Sequence, residues 1–197
     1  MGMVTCDITV SVDGCAAGPG QSAEEPLGRG GESLHRWQFE GGGEHTAEVA
    51  GILGHGAYIM GRNMFGPPRV GGFDEPWRGW WGEEPPYRAP VFVLTHTAQE
   101  PVEMAGGTTF HFVTGGPQAA FELARDAAGE RTFAIAGGAS TVDQFLAAGL
   151  IDELRLHIAP IVLGGGERLF AASGPVVLTP VSARATPLVT HVTYRLG

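Results

Sequence analysis

"TFAIAGGASTVDQFLAAGLIDELRLHIAPIVLGGG", residues 132–166, decides the fold. Its first apolar run, "FAIA", predicts a short buried strand. Gly137 and Gly138 follow it, and then Val142, Phe145, Leu146 and Leu150 recur at helical spacing. Ser140 is placed to cap that helix, Asp143 three residues later completes a capping-box pattern, and Gly149 can end it. "ELRLHIAPIVLG" then predicts a second strand. Strand, helix and strand in succession imply parallel pairing through a helical crossover. The paired glycines have two readings. They make a tight turn, or they let an anionic ligand reach the free N–H groups at the helix start.

The same alternation extends outward. "MVTCDITVSVDG" alternates Val4, Cys6, Ile8, Val10 and Val12 with Thr5, Asp7, Thr9 and Ser11, which predicts a first strand. Residues 14–31 are dominated by glycine and proline and read as a long loop, and a short helix is expected over 33–39. Residues 46–53 carry a helical pattern, "AYIMG" reads as a buried strand, and "RNMF" can open a short helix. "PVFVLTH" and "TTFHFVT" are strands, and "GPQAAFELARDAA" is a helix with proline near its start. The tail predicts two strands joined near Thr186 and Pro187. The expected result is one α/β domain over residues 1–197. Its sheet is mixed and mainly parallel with antiparallel C-terminal strands, and a Gly/Pro/Trp-rich insertion falls at about 66–89.

Composition narrows the partners. The chain has 197 residues and a net charge of −9, which argues against nucleic acid or an acidic membrane surface as a partner. Its 43% hydrophobic and 17% charged residues suit a packed core. The only cysteines, Cys6 and Cys15, form no disulfide framework or metal spacing, which suits a reducing, cytoplasmic setting. "MGMVTCDITV" lacks the basic start and apolar core of a signal peptide.

Ligands of open α/β sheets bind beyond the carboxyl ends of the strands, so the loops there are read together. Gly137 and Gly138 end one strand. "IMGRN" ends another, where Arg62 can grip a phosphate in bidentate fashion or stand as an ordinary surface arginine. "VLTH" ends a third, where Thr95 and His96 can bond phosphate or ribose oxygens, and "VTGG" ends a fourth. Their recurrence at successive strand ends favours a nucleotide.

In that order, "SVDG", "MGR", "LTH", "AGGAS" and "IDELRLHIAPIVLGGGERLF" resemble the dihydrofolate reductase-like superfamily. Within it they are most similar to the reductase domain of the bacterial riboflavin-pathway deaminase-reductase and its stand-alone relatives. The resemblance implies a three-layer fold, NADPH as cofactor, a small heterocyclic or carbonyl-type substrate and a homodimer. It would place Gly61, Arg62 and Asn63 near the adenosine phosphates, and Thr95 and His96 at the 2′-phosphate. Gly137, Gly138, Ala139, Ser140 and Thr141 would cradle the pyrophosphate. Ser11, Asp13 and the loop after them would border nicotinamide and substrate. Two positions depart from the pattern. Dihydrofolate reductases proper carry an acid on the helix before "MGR", where this chain places His45, with Glu44 beside it and Glu48 one turn on. Met64 follows "GRN" where many relatives have threonine. A non-enzymatic NADP(H)-binding protein and a reductase of pterins are the alternative readings.

Hydride transfer needs a ring held against its acceptor, not a nucleophilic triad. A proton must still reach the product, and Asp13 and Glu48 are the candidate donors. Asp13 also reads as a turn aspartate and Glu48 as part of a solvated helix face. Trp77, Trp80 and Trp81, with Tyr87, can wall a pocket for a flat substrate ring, fill a dimer interface or cover a sheet face. Trp37 and Phe39 are candidates to join them. The seven histidines show no recognised metal-binding spacing, so no metal is expected.

Overall fold

The computed structural model describes residues 2–67 and 77–197. Residues 68–76, inside the predicted insertion, lie outside the described residues. In chain order the elements are β1 (Val4–Ser11), β2 (Cys15–Ala17), α1 (Arg36–Glu40), α2 (Thr46–Ile52), β3 (Tyr58–Gly61) and α3 (Arg62–Phe65). Next come β4 (Pro90–Leu94), β5 (Val102–Glu103), β6 (Thr109–Val113), α4 (Gly116–Ala128), β7 (Phe133–Gly137), α5 (Ala139–Ala147) and β8 (Glu153–Ala159). β9 (Glu167–Arg168), β10 (Thr179–Ala185) and β11 (Thr190–Arg195) finish the chain.

Among the described residues nine strands form one sheet in the order β10-β11-β8-β1-β7-β3-β4-β6-β5. From β8 to β6 every neighbour is parallel. The antiparallel strands are β10 and β11 at one side and β5 at the other. The mixed, mainly parallel sheet is therefore as expected.

β1 lies between β7 and β8 in the sheet, and layers on both sides bury its two faces. Its Val4, Cys6, Ile8 and Val10 join Phe121, Val142 and Phe145 in the core beneath α4 and α5. Its Thr5, Thr9 and Ser11 are buried on the opposite face. On that second face Tyr58, Met60, Val91, Val93 and Phe110 build a second core. α1 and α2 cover another part of the same face, as the contacts of Trp37 with Thr9 and of Arg155 with the Gly51 carbonyl show. Helices, sheet and covering segments make three layers.

Two local expectations are corrected. Gly138 precedes α5 and no side chain caps the helix, so Ser140 already lies inside it. Asp143 does not complete a capping box. Its buried carboxylate accepts the N–H groups of Phe170 at 2.8 Å and Ala172 at 2.9 Å. The second correction is that β8 stops at Ala159. Pro160 has no N–H for the ladder, and the Ile161 N–H turns back to the Ala159 carbonyl at 2.8 Å. The end of α5 is as predicted. Gly149 has φ +65°, and the amides of Gly149 and Leu150 bond the carbonyls of Leu146 and Phe145.

The tryptophans have a structural role. Trp81 lies near-parallel to Phe110, with ring centroids 5.9 Å apart, and meets Tyr87 edge-on at 5.2 Å. Trp77 donates its indole N–H to the Phe65 carbonyl at 2.9 Å, and Trp80 packs against Trp77. Trp77 and Trp81 thus cover the second core. Trp37 and Phe39 do not join them: Trp37 packs among histidines beneath α1 and α2, and Phe39 is exposed. Trp81→Ala should cost about 2 kcal/mol in chemical denaturation, less than a fully buried tryptophan because Trp81 is half-buried. Unchanged stability would contradict its role as a cover for the sheet.

Candidate functional site

Parallel pairing puts the carboxyl ends of β1, β3, β4 and β7 on one sheet edge. Ser11, Gly61, Thr95 and Gly137 stand at or next to those ends. Gly61 and the start of α5 are in close approach, because a Cβ on Gly61 would meet the Thr141 hydroxyl at 2.5 Å. Gly137 has φ +126°, a conformation that side chains disfavour. Gly138 is different. Its φ is −73°, and a Cβ there would meet nothing within 4 Å. Packing does not require a glycine there, and the backbone is open to a ligand.

The other predicted contacts stand at or beside the same sheet edge. Ser140 and Gly138 are exposed, while Ala139 and Thr141 are buried. Arg62 opens α3, half-buried, and donates to the Pro67 carbonyl; Asn63 beside it is exposed. The Thr95 hydroxyl accepts the Thr97 N–H at 3.1 Å, and His96 is exposed. The sulfur of Met64 stands over Gly137, 3.3 Å from where a Cβ would be.

The β1 end is a tied turn. The Ser11 hydroxyl, almost fully buried, donates to Asp13 Oδ1 at 2.6 Å and accepts the Cys15 N–H at 3.0 Å. Asp13 also accepts the N–H groups of Leu163 at 3.0 Å and Gly164 at 2.9 Å. The Ser11 hydroxyl first, and then these amides, hold the Asp13 pKa down at about 2. An ionised Asp13 fastens the 161–166 loop to β1, which is the turn reading. Glu48 is ionised too. Burial, the largest single influence, works to raise its pKa, but the hydrogen bonds from Arg184 at 3.0 and 2.7 Å, its own backbone N–H and the neighbouring positive charge together hold it down.

Beneath α1 and α2 the structure gathers histidines that are far apart in sequence. Arg184, His191, His157 and Thr9 are register partners across β10, β11, β8 and β1, and so share one face. His157 Nδ1 lies 2.8 Å from His191 Nδ1, and His191 Nε2 lies 3.0 Å from His45 Nδ1. Trp37 packs on all three rings. Residues 45, 157 and 191 show no mutual spacing, so pairing of the strands was the only signal that could have joined them.

Burial, and then the neighbouring His157, lower the His191 pKa to about 4, and burial also lowers His35 and His55 below 6.5. Between pH 6.5 and about 4 the unfolded chain binds the His191 proton and the folded chain does not, and His35 and His55 add to that difference as pH falls below 6.5. The melting temperature should therefore fall steadily as pH drops through that window. Asp13 adds its own loss only below 3.8. A melting temperature that stays flat from pH 6.5 to 4 would contradict neutral buried imidazoles.

A cavity of about 400 Å³ lined by His55, Tyr87, Arg88 and Arg131 lies at the opposite, amino-terminal edge of the sheet. No helix among the described residues is long and apolar enough to cross a membrane.

The RibD C-terminal domain model matches residues 2–192. The chain belongs to that family. Its fold is similar to that of a protein from Shewanella sp. PV-4 assigned provisionally to riboflavin biosynthesis. The TM-score is 0.65 at 23% identity, over 99% of each chain. It is also similar to the riboflavin biosynthesis reductase of Saccharomyces cerevisiae, with TM-score 0.57 and 15% identity over 100% of this chain and 89% of that one. A dihydrofolate reductase from Enterococcus faecalis complexed with NADP(H) gives TM-score 0.57 and 13% identity, over 99% and 96%. No curated protein matches in sequence. This RibD C-terminal domain therefore has the dihydrofolate reductase-like fold of the superfamily.

Proposed function

We propose that this RibD C-terminal domain is an NADPH-dependent reductase of a small heterocyclic or carbonyl-type substrate, akin to the pyrimidine reductases of the riboflavin pathway. The observation that carries the reading is the open backbone at Gly138, at an uncapped helix start facing Gly61. It fits a pyrophosphate, which needs N–H donors and no intervening side chain. Gly137, Gly138, Ala139, Ser140 and Thr141 would hold that group, with Gly61, Arg62 and Asn63 along the phosphates. Thr95 and the exposed His96 would meet a 2′-phosphate. The bound dinucleotide would supply the hydride.

The protein's part is then to position the reactants and exclude water. The turn at Ser11 and Asp13 fixes the loop beside the transfer site. Neither Asp13 nor Glu48 is protonated at neutral pH, so water is the proton source in this reading. A pterin reading is less well supported. The helix position that would carry its acid holds His45, which is buried against His191.

The test is consumption of NADPH across a panel of aminopyrimidine ribotides, pterins and quinones. Turnover with a ribotide, at a rate at least tenfold above the pterins, is expected. NADPH binding without turnover on any member would favour the non-enzymatic alternative.

A further inference from the structure

We propose that His45, Glu48 and His191 form a site for one divalent transition-metal ion of the Zn²⁺ class, with Arg184 as its gate. The site is separate from the cofactor cleft and does not depend on the reductase reading.

The ligand atoms converge. One donor atom from each of the three residues lies within 4.8 Å of the others. His45 Nδ1 and His191 Nε2 are 3.0 Å apart, and Glu48 Oε1 is 4.0 Å from His191 Nε2. Tetrahedral metal–nitrogen bonds of about 2.0–2.1 Å require neighbouring ligand atoms about 3.3 Å apart, so these separations bracket the need. Two imidazoles and one carboxylate suit zinc, cobalt or nickel.

Hydrogen-bond accounting gives an independent reason. Arg184 Nη2 lies 2.7 Å from Glu48 Oε1 and 3.3 Å from His45 Nδ1. A cation therefore already occupies the point of convergence. A guanidinium only donates, and His45 Nδ1 has one lone pair for both Arg184 and His191. Without an ion, that lone pair is shared or an N–H faces the guanidinium. With an ion, His45 Nδ1, His191 Nε2 and Glu48 each give one lone pair to it. His191 Nδ1–H then donates to His157 Nδ1, and Asp7 Oδ1 stands 3.4 Å behind His157 Nε2, close but not hydrogen-bonded to it. Every imidazole in the row is neutral in this arrangement. The carboxylate–histidine support behind a ligand is what metal sites use to fix its tautomer. The second Glu48 oxygen is buried with no hydrogen-bond partner, so a carboxylate valence is available.

Arg184 can yield its place. Its side chain is 41% exposed, and Nη1 is already 3.9 Å from Glu44, a second carboxylate on the surface side. The remaining charged neighbour of the row, Arg155, is engaged with Asp7 and Glu153.

The experiment is calorimetric titration of the intact, chelator-stripped chain with Zn²⁺, and visible absorption with Co²⁺. One equivalent per chain is expected, with the d–d bands of tetrahedral Co²⁺. His191→Gln should weaken binding at least tenfold, and Glu48→Gln, at the helix surface, is the second variant should the first misfold. Arg184→Met should bind equally or more tightly, because the competing guanidinium is gone. The proposal is overturned if the unmodified chain binds no ion, if properly folded His191→Gln or Glu48→Gln binds as well as the parent, or if Arg184→Met binds more weakly.

Discussion

Gly138→Val is expected to fold and to lose NADPH. A Cβ at this position meets no atom within 4 Å, and its φ of −73° suits an ordinary residue. Valine is a poor residue to precede a helix, so a loss of about 1 kcal/mol in stability is allowed for. The loss in binding should be larger. The isopropyl group would stand where the proposed pyrophosphate meets the first amides of α5. About a 100-fold rise in Kd, or ~2.7 kcal/mol, is the expected scale. Denaturation and cofactor titration on the same sample separate the two effects. A variant that folds and binds NADPH normally would show that Gly138 serves only as a turn. Gly61→Ala is the useful contrast, because its Cβ would collide with Thr141 and should damage the fold as well.

Asp143→Ala should cost about 3 kcal/mol of stability. The Asp143 side chain is buried, and its two oxygens accept the amides of Phe170 and Ala172 at 2.8 and 2.9 Å. Alanine would leave two backbone donors without their charged acceptor and open space behind them. This bond fastens the 169–172 segment to α5 across 27 residues of chain. Asp143→Asn keeps one acceptor oxygen and should recover part of the loss. Equal stability of Asp143→Ala and the parent in urea would remove Asp143 from the fold's supports.

These two residues show which parts of the chain are legible in sequence. Helical spacing placed α4 and α5 because one face of each packs on the sheet, and short apolar runs placed β4, β6 and β7 because cores lie on both of their faces. The Gly149 stop was legible because a positive φ needs glycine or little else. Asp143 was misread because a capping box and a tertiary tether use the same residue type, and the partners, Phe170 and Ala172, lie across a loop. Trp81 had three readings open, and its packing on Phe110 and Tyr87, which the sequence does not encode locally, makes it a cover of the second sheet face without bearing on a pocket or an interface. The four loops of the cleft were legible as a group, since parallel topology alone brings their ends to one edge. The histidine row was not. It depends on the register of β8, β11 and β10, which antiparallel return of the tail sets and local spacing does not encode.

The measurement closest to the central claim is a titration of the protein's tryptophan fluorescence with NADPH and, in parallel, NADH. Saturable binding of NADPH, with at least tenfold preference over NADH, is the predicted result. Binding of neither dinucleotide at millimolar concentration would contradict the cofactor cleft and, with it, the reductase.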